Sequence, residues 1–186
     1  MLPSFPLLLA ASTADSTALT NSTVATTILA GSGLATMAAT TLQVGSTIKI
    51  LMRGRISTLA TTPGTLTLDV RLNGVVISAL GALSLNISAQ TNASWEAEFL
   101  VSIRALGTGT SANALVTMRF TSRALLGSVA VASGGDMVIL MPDTGPAVGP
   151  GFDSTSAMPI NVFGTWSTAS ASNSILTHQS FIELKV

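Results

Sequence analysis

The sequence predicts an all-β protein, an antiparallel two-sheet sandwich that is jelly-roll-like, with about eight or nine strands and an extended N-terminal arm. Apolar and polar residues alternate along most of the 186-residue chain, which is the period of strands with one buried face. No segment longer than about ten residues keeps the apolar spacing of a helix. We expect residues 1–20 to form the arm and residues 21–186 to form one sandwich domain.

The composition predicts a surface that is poor in charge. Charged residues make up 9% of the chain, eight of each sign, and hydrophobic residues make up 47%, whereas an ordinary domain has about 25% charged residues. No apolar run approaches the roughly 20 residues that cross a bilayer, and no cluster of Lys and Arg marks a nucleic-acid partner. We therefore expect copies of the same chain to cover the apolar surface, with no membrane, nucleic acid or cofactor involved.

The first half of the domain contains strand patterns separated by glycine. Residues 22–29, rich in Thr, Val and Ile, predict a strand, and residues 34–44 add another. Residues 46–56 alternate cleanly and predict a third, whose polar face carries Lys49, Arg53 and Arg55. Residues 66–80 predict a hairpin, because Asn73 and Gly74 supply the positive φ angles of a type I′ turn.

The second half begins with the longest alternating segment. Residues 95–105 predict a long central strand, and residues 112–123 should pair with it antiparallel after a turn at residues 107–109. The remaining predictions are a strand within residues 136–141, a Gly- and Pro-rich loop over residues 142–159, and strands over residues 158–168 and 174–186.

Two patterns suggest catalysis but have simpler interpretations. Residues 107–112 match the dinucleotide fingerprint G-x-G-x-x-A, yet a strand follows where a helix would have to hold the pyrophosphate, so we interpret them as a turn. His178 is the only histidine and could serve as a base. The chain has no G-x-S-x-G elbow to accompany it, so we expect a paired or solvated strand histidine.

Paired acidic residues are the other candidates. Glu96 and Glu98 share a strand face about 7 Å apart, a spacing that could suit the carboxylates of a glycosidase. Such pairs usually come from different strands beside aromatic sugar platforms, and the chain has two Trp and no Tyr. We expect a solvated or ion-paired face instead, with one or more of these neighbours: Arg104, Arg119 and Arg71.

Three aspartates border or lie in the long loop and could offer oxygens to Ca²⁺: Asp136, Asp143 and Asp153. Their spacing matches no calcium-loop motif, so an ordinary polar loop is expected. The prediction is therefore that the chain has no metal site.

Large apolar side chains suggest where subunits meet. Full burial of a leucine is worth roughly 1.5–3 kcal/mol, so the three consecutive leucines of the arm should dock on a neighbouring subunit, with a flexible chain end as the alternative. Trp95 and Trp166 lie within apolar alternation, which predicts core packing, with interface anchoring as the alternative. The predicted interface comprises Leu7, Leu8, Leu9, Phe152 and Trp166.

Several stretches resemble small virion structural proteins of tailed bacteriophages. The resemblance covers about residues 20–186, and its motifs are patterns of strands and turns, not catalytic signatures. The residues that carry it are 42–50 (LQVGSTIKI) leading into Gly54, 65–74 (TLTLDVRLNG), the Trp95 strand ending at Arg104 and Gly107, and 163–175 (FGTWSTASASNSI).

The resemblance implies a non-enzymatic protein of the phage particle, made in the host cytoplasm. It would be a homo-oligomer, commonly a trimer, that decorates or cements the head by binding the major capsid protein. The apolar arm favours cementing, because a subunit that staples its neighbours needs an extended segment to lie between them. One alternative is a fibre or spike head that binds a host receptor or glycan through residues 142–159. Another is a secreted lectin-like or carbohydrate-active enzyme.

Overall fold

A computed structural model, which describes residues 6–78, 80–127, 135–145 and 147–186, confirms the all-β fold class. The described chain forms strands in two antiparallel sheets and one short 3₁₀ turn at Gly31–Gly33. The strands are β1 Leu7–Ala11, β2 Leu19–Thr20, β3 Thr26–Thr27, β4 Ala35–Met37, β5 Thr47–Thr58, β6 Thr65–Leu72, β7 Val75–Val76, β8 Ala82–Ser84, β9 Gln90–Ala105, β10 Asn113–Ser122, β11 Met137–Met141, β12 Met158–Trp166 and β13 Ser174–Lys185.

The two sheets form a sandwich in which the chain crosses from one sheet to the other repeatedly, as in jelly-roll folds. The seven-stranded sheet has the order β1-β13-β5-β9-β10-β11, with β2 also pairing with β13. The six-stranded sheet has the order β3-β12-β6-β7, with β4 on β12 and β8 on β6. The long strands β5 and β9 therefore lie at the centre of the larger sheet.

The core lies between the sheets and follows from alternation. Every second residue of β5, β6, β9, β10 and β12 is buried, and the residues between them are exposed or half-buried. Trp95 and Phe120 stack in this core with ring centroids 5.8 Å apart and ring planes within 7°. The predicted pairing of the strand beginning near Trp95 with the strand after it is confirmed, because β9 and β10 pair antiparallel along their length.

The hairpin at residues 66–80 is also confirmed. Asn73 and Gly74 have φ angles of 48° and 78°, and Arg71 and Leu72 pair with Val76 and Val75. The return strand β7 is short, since the backbone then turns so that Ile77 N–H still bonds Val70 O while the Ser78 hydroxyl accepts from Val70 N–H.

The segments predicted as strands at residues 22–29 and 34–44 contain only short strands, β3 and β4. Both pair solely with β12, at the side of the smaller sheet. Strand propensity from Thr, Val and Ile is realised only where a partner strand runs alongside. Here the 3₁₀ turn at Gly31–Gly33 separates two brief contacts with the same partner.

The segment predicted as an arm is extended, and from Leu7 onward it belongs to the larger sheet. Leu7 and Leu8 pair with Leu184 and Glu183 on β13. Farther along, Ser12 N–H bonds Ser180 O. The first strand of the sandwich therefore precedes residue 21, where the sequence interpretation placed the start of the domain.

A fully buried asparagine joins the loop between β5 and β6 to the loop between β12 and β13. Asn173 Oδ1 accepts from Leu59 N–H at 2.8 Å, and Asn173 Nδ2 donates to Pro63 O at 3.0 Å and to Thr168 O at 3.2 Å. One side chain therefore satisfies a backbone donor and two backbone acceptors that have no strand partner.

We predict that Asn173→Ala lowers the free energy of unfolding by about 3 kcal/mol, because it leaves one buried and two partly buried backbone groups without their hydrogen-bond partner. Asn173→Asp should be similarly damaging, since a carboxylate cannot donate to the two carbonyls. The exposed neighbour variant Ser172→Ala should stay within about 0.5 kcal/mol. Urea unfolding monitored by tryptophan fluorescence measures the stability of all three variants. An Asn173→Asp variant as stable as the wild type would contradict the bridging role of the Asn173 amide.

Candidate binding site

Most of the charged side chains lie on one surface, the outer face of the seven-stranded sheet. The outer face of the six-stranded sheet carries Asp69 and Arg71 as the only charged residues of its described strands, and its other outward residues are mainly Thr, Asn and Ser. The charged residues on the outward positions of the larger sheet are Lys49, Arg53, Arg55, Glu96, Glu98, Arg104, Arg119, Glu183 and Lys185.

A single carboxylate on this charged face holds two guanidinium groups. Glu96 lies directly opposite Arg53 in the pairing of β5 with β9 and diagonal to Arg119 on β10. Arg53 Nε is 2.7 Å from Glu96 Oε2, and Arg119 Nη2 is 3.0 Å from Glu96 Oε1. The predicted ion-paired face is therefore confirmed for Glu96, with Arg119 as one of its partners.

Glu98 has a different partner. Lys49 Nζ lies 3.0 Å from Glu98 Oε2, so each of the two glutamates is engaged by cations from neighbouring strands. Of the other predicted neighbours, Arg71 belongs to the opposite sheet, where it lies 3.7 Å from Asp69. Arg104 is exposed at the far end of β9.

Next to Arg53, the strands β5 and β13 approach so closely that only glycine fits. A Cβ on Gly54 would overlap the carbonyl oxygen of Leu176. The same carbonyl accepts a hydrogen bond from the indole Nε1 of Trp95 at 3.2 Å. A β-bulge follows immediately, because the register shifts between Thr177 and Gln179 and leaves His178 as the extra residue.

These features enclose a concavity of about 560 Å³ on the charged face, which we call the arginine concavity. Gly54 and Trp95 are among the residues that line it. Arg53, Arg55 and Arg119 supply positive charge and Glu96 and Asp136 supply negative charge, so cations outnumber anions around it. The remaining lining residues are Ser94, Thr121, Val138, His178 and Gln179.

His178 lies at the rim of the arginine concavity, on the bulge. Its Nδ1 is 3.0 Å from Asp15 Oδ2, and both side chains are substantially exposed. This is the paired strand histidine that the sequence predicts. Neither a serine nor a second carboxylate is bonded to the His178 ring among the described contacts, so the arrangement is a histidine–carboxylate contact at the surface.

The charged pair on the smaller sheet has a different character. The Arg71 guanidinium lies 3.9 Å from the ring centroid of Phe163. Burial raises the pKa of the Asp69 carboxyl above its ordinary value, and the attraction of Arg71 only partly offsets this effect. Arg71 Nε is buried without a hydrogen-bond partner.

The residues predicted to form an interface fall into two groups. Leu7 and Leu8 are exposed by 60% and 57%, and Leu9 packs partly against the core of its own chain. Phe152 and Trp166 are each only 1% exposed, so the structure corrects their assignment as interface residues. Trp166 donates its indole N–H to Leu19 O at 3.1 Å, which satisfies its polar group within the core.

Phe152 lies in a part of the long loop that runs antiparallel beside the start of β10. Ala112 and Phe152 exchange backbone hydrogen bonds of 3.2 and 2.9 Å, and Gly149 N–H bonds Ala114 O at 3.0 Å. Residues 148–152 of the loop therefore lie beside the start of β10, and the Phe152 side chain packs in the core.

The other candidate residues are not brought together. Within the described ranges no three His, Cys, Asp or Glu side chains form a group that could hold a metal ion. Asp153 bonds locally: hydrogen bonds from the Thr155 hydroxyl and backbone N–H lower the pKa of its carboxyl. Residues 107–112 form a turn that leads into β10, as predicted.

The arginine concavity was missed in the sequence interpretation, although its parts were visible there. Arg53 and Arg55 flank Gly54 on a strand that otherwise alternates strictly. A glycine inside a strand often marks a bulge or a close backbone approach, and that signal could have indicated the site.

Comparisons with protein families, curated proteins and solved structures find no match for this chain. Over the described residues, no helix has the length and hydrophobicity needed to span a bilayer.

We predict that Gly54→Ala destabilises the protein by about 3 kcal/mol or more, because the new methyl group forces β13 away from β5 and breaks the Trp95 hydrogen bond. Gly31→Ala is the matched control, since a Cβ there meets no atom within 4 Å. Guanidinium unfolding measures both variants. Equal stability of the two would show that the close approach is not a constraint.

We also predict a pH dependence from Asp69. Because the pKa of this carboxyl is higher in the folded than in the unfolded protein, proton binding favours folding, and this contribution is lost as pH rises through the folded-state pKa. Asp69→Asn removes it. Urea unfolding measured from acidic to neutral pH should show that the wild type gains stability relative to Asp69→Asn as the pH falls. A shift towards Asp69→Asn on acidification would mean that pairing with Arg71 outweighs burial.

Proposed function

We propose that this chain is a non-enzymatic structural subunit of a phage particle, which forms a homo-oligomer and decorates or cements the head. The observation that carries the proposal is the exposure of large apolar side chains on both end strands of the seven-stranded sheet. The resemblance to small virion proteins supplies the setting, with the major capsid protein as partner and a trimer as the expected oligomer.

The end strands are β1 and β11, and each has one strand as neighbour in the described part of the chain. On β11, Val138 and Leu140 are exposed by 53% and 70%. Proteins that remain monomeric usually protect such edges with charge, proline or a covering loop. Neither β1 nor β11 contains a charged residue or a proline, so both are suited to pairing with another chain.

A shallow depression beside β11 extends this apolar edge. Leu100, Leu140, Met141 and Pro142 line it together with Met118, the charged residues Glu98 and Arg119 and the polar Thr117, and its volume is about 420 Å³. An extended segment of a neighbouring copy could add main-chain hydrogen bonds along β11 and place a side chain in this depression. The exposed leucines of β1 offer such a segment.

A fibre or spike head that binds a receptor or glycan is the second candidate function. The arginine concavity favours it, because the concavity is a polar, charge-rich recess of the size range that small ligands occupy.

Leu140→Lys and Leu8→Lys test the assembly. Each places a charge on an exposed edge, and each should shift the wild-type oligomer towards monomer by at least tenfold in dissociation constant, about 1.4 kcal/mol. Sedimentation equilibrium at several concentrations measures this shift. Ile87→Lys is the matched control. Ile87 is similarly exposed but lies in the loop between β8 and β9, away from the end strands.

Binding to the phage head is tested by a separate co-sedimentation experiment. The wild type should co-sediment with shells assembled from the major capsid protein, and Leu8→Lys should bind them more weakly. A wild-type protein that stays monomeric at all concentrations and does not bind shells would refute the proposal.

A further inference from the structure

We propose that the arginine concavity binds an anionic saccharide, a sugar that carries a carboxylate or phosphate group, with Arg53, Arg55 and Arg119 as the residues that recognise the anion. This goes beyond the structural role above and does not depend on it, because the three arginines lie on β5 and β10, whereas the proposed assembly uses the end strands β1 and β11.

The first support is the imbalance between donors and acceptors. A guanidinium group has five N–H donors. Arg53 gives its Nε to Glu96, and Arg119 gives one terminal nitrogen to the same carboxylate. Within the described part of the chain, Arg55 bonds a single backbone carbonyl, that of Asn92, at 3.2 Å. Among the described contacts, most donors of the three groups therefore remain available, although Glu96 and Asp136 both line the concavity.

The second support is that these donors are held in place. Glu96 fixes Arg53 and Arg119 from two sides, so their remaining nitrogens are oriented before a ligand arrives. The strands beneath are pinned where Gly54 meets Leu176 and where Trp95 bonds the same carbonyl. A preorganised site loses less entropy on binding than one that must order long side chains.

The chemistry of the recess indicates the class of ligand. Guanidinium groups match carboxylate and phosphate oxygens with paired hydrogen bonds. Ser94, Thr121 and Gln179 offer hydroxyl and amide groups for sugar hydroxyls, and Val138 gives one apolar contact. A volume of about 560 Å³ holds one or two sugar rings and is too small for a folded partner to enter.

The test compares three sugars that share the glucose ring and differ in charge: glucuronate, glucose 6-phosphate and glucose. Saturation-transfer NMR and calorimetry on the full chain should show saturable binding of at least one anionic sugar, with glucose at least tenfold weaker. Comparing glucuronate with glucose 6-phosphate distinguishes the carboxylate source from the phosphate source. Binding should weaken as salt is raised, because exposed charges are screened.

The variants locate the binding. Arg119→Gln and Arg55→Gln should each lower the affinity for the anionic sugar by about tenfold, the usual effect of losing a charged hydrogen bond. Arg55 does not bond Glu96, so its variant tests the site even if Arg119→Gln disturbs the ion pairs. Arg104→Gln is the matched control, since Arg104 lies on the same face of β9, about 26 Å along the strand from Glu96.

Three results would overturn the inference. These are glucose binding as tightly as the anionic sugars, Arg104→Gln weakening binding as much as Arg55→Gln, and no saturable binding of either anionic sugar. If no sugar binds and Arg55→Gln instead changes the oligomeric state, the face is a contact between copies, because Arg55 lines the arginine concavity and not the depression beside β11. The assembly proposal is judged separately, because Leu140 does not line the arginine concavity.

Discussion

The close approach of β13 to β5 at Gly54 is the constraint on which the rest of the larger sheet depends. A strictly alternating β13 would place Gln179, Phe181 and Glu183 on the same side as Ile175. The bulge at His178 adds one residue, so Ile175 and Thr177 point inward before it and Ile182 and Leu184 point inward after it. Without that shift the charged Glu183 would enter the core.

The same constraint shapes the outer surface. Because the bulge places His178 and Gln179 both outside, β13 presents two consecutive exposed residues next to Arg53 and Arg55. Gly54 has no side chain, so only backbone atoms lie between Arg53 and Arg55 at that point. Glu96 then determines where the guanidinium groups lie, so the geometry that keeps the core apolar also produces the recess on the charged face.

The parts of the fold that sequence could predict are those fixed by local chemistry. Strict alternation identified β5, β6, β9 and β10, and the Asn73 turn identified the hairpin, because side-chain period and positive φ are written in neighbouring residues. The bulge, the Asn173 hub and the burial of Phe152 depend on segments far apart in the chain. Glu96 was expected to pair on its sheet face, but its second partner, Arg53, depends on the register of β5 with β9.

The distribution of charge separates two kinds of surface on one small chain. The exposed apolar side chains on β1 and β11 lie at the ends of the larger sheet, whereas the arginines lie over its middle strands. Assembly through the ends would therefore leave the arginine concavity open. Val138 and Asp136 belong to its rim and lie in or next to β11, so a copy paired along β11 would stand beside the recess without filling it. A subunit that assembles through its edges could in this way carry ligand sites outward on every copy.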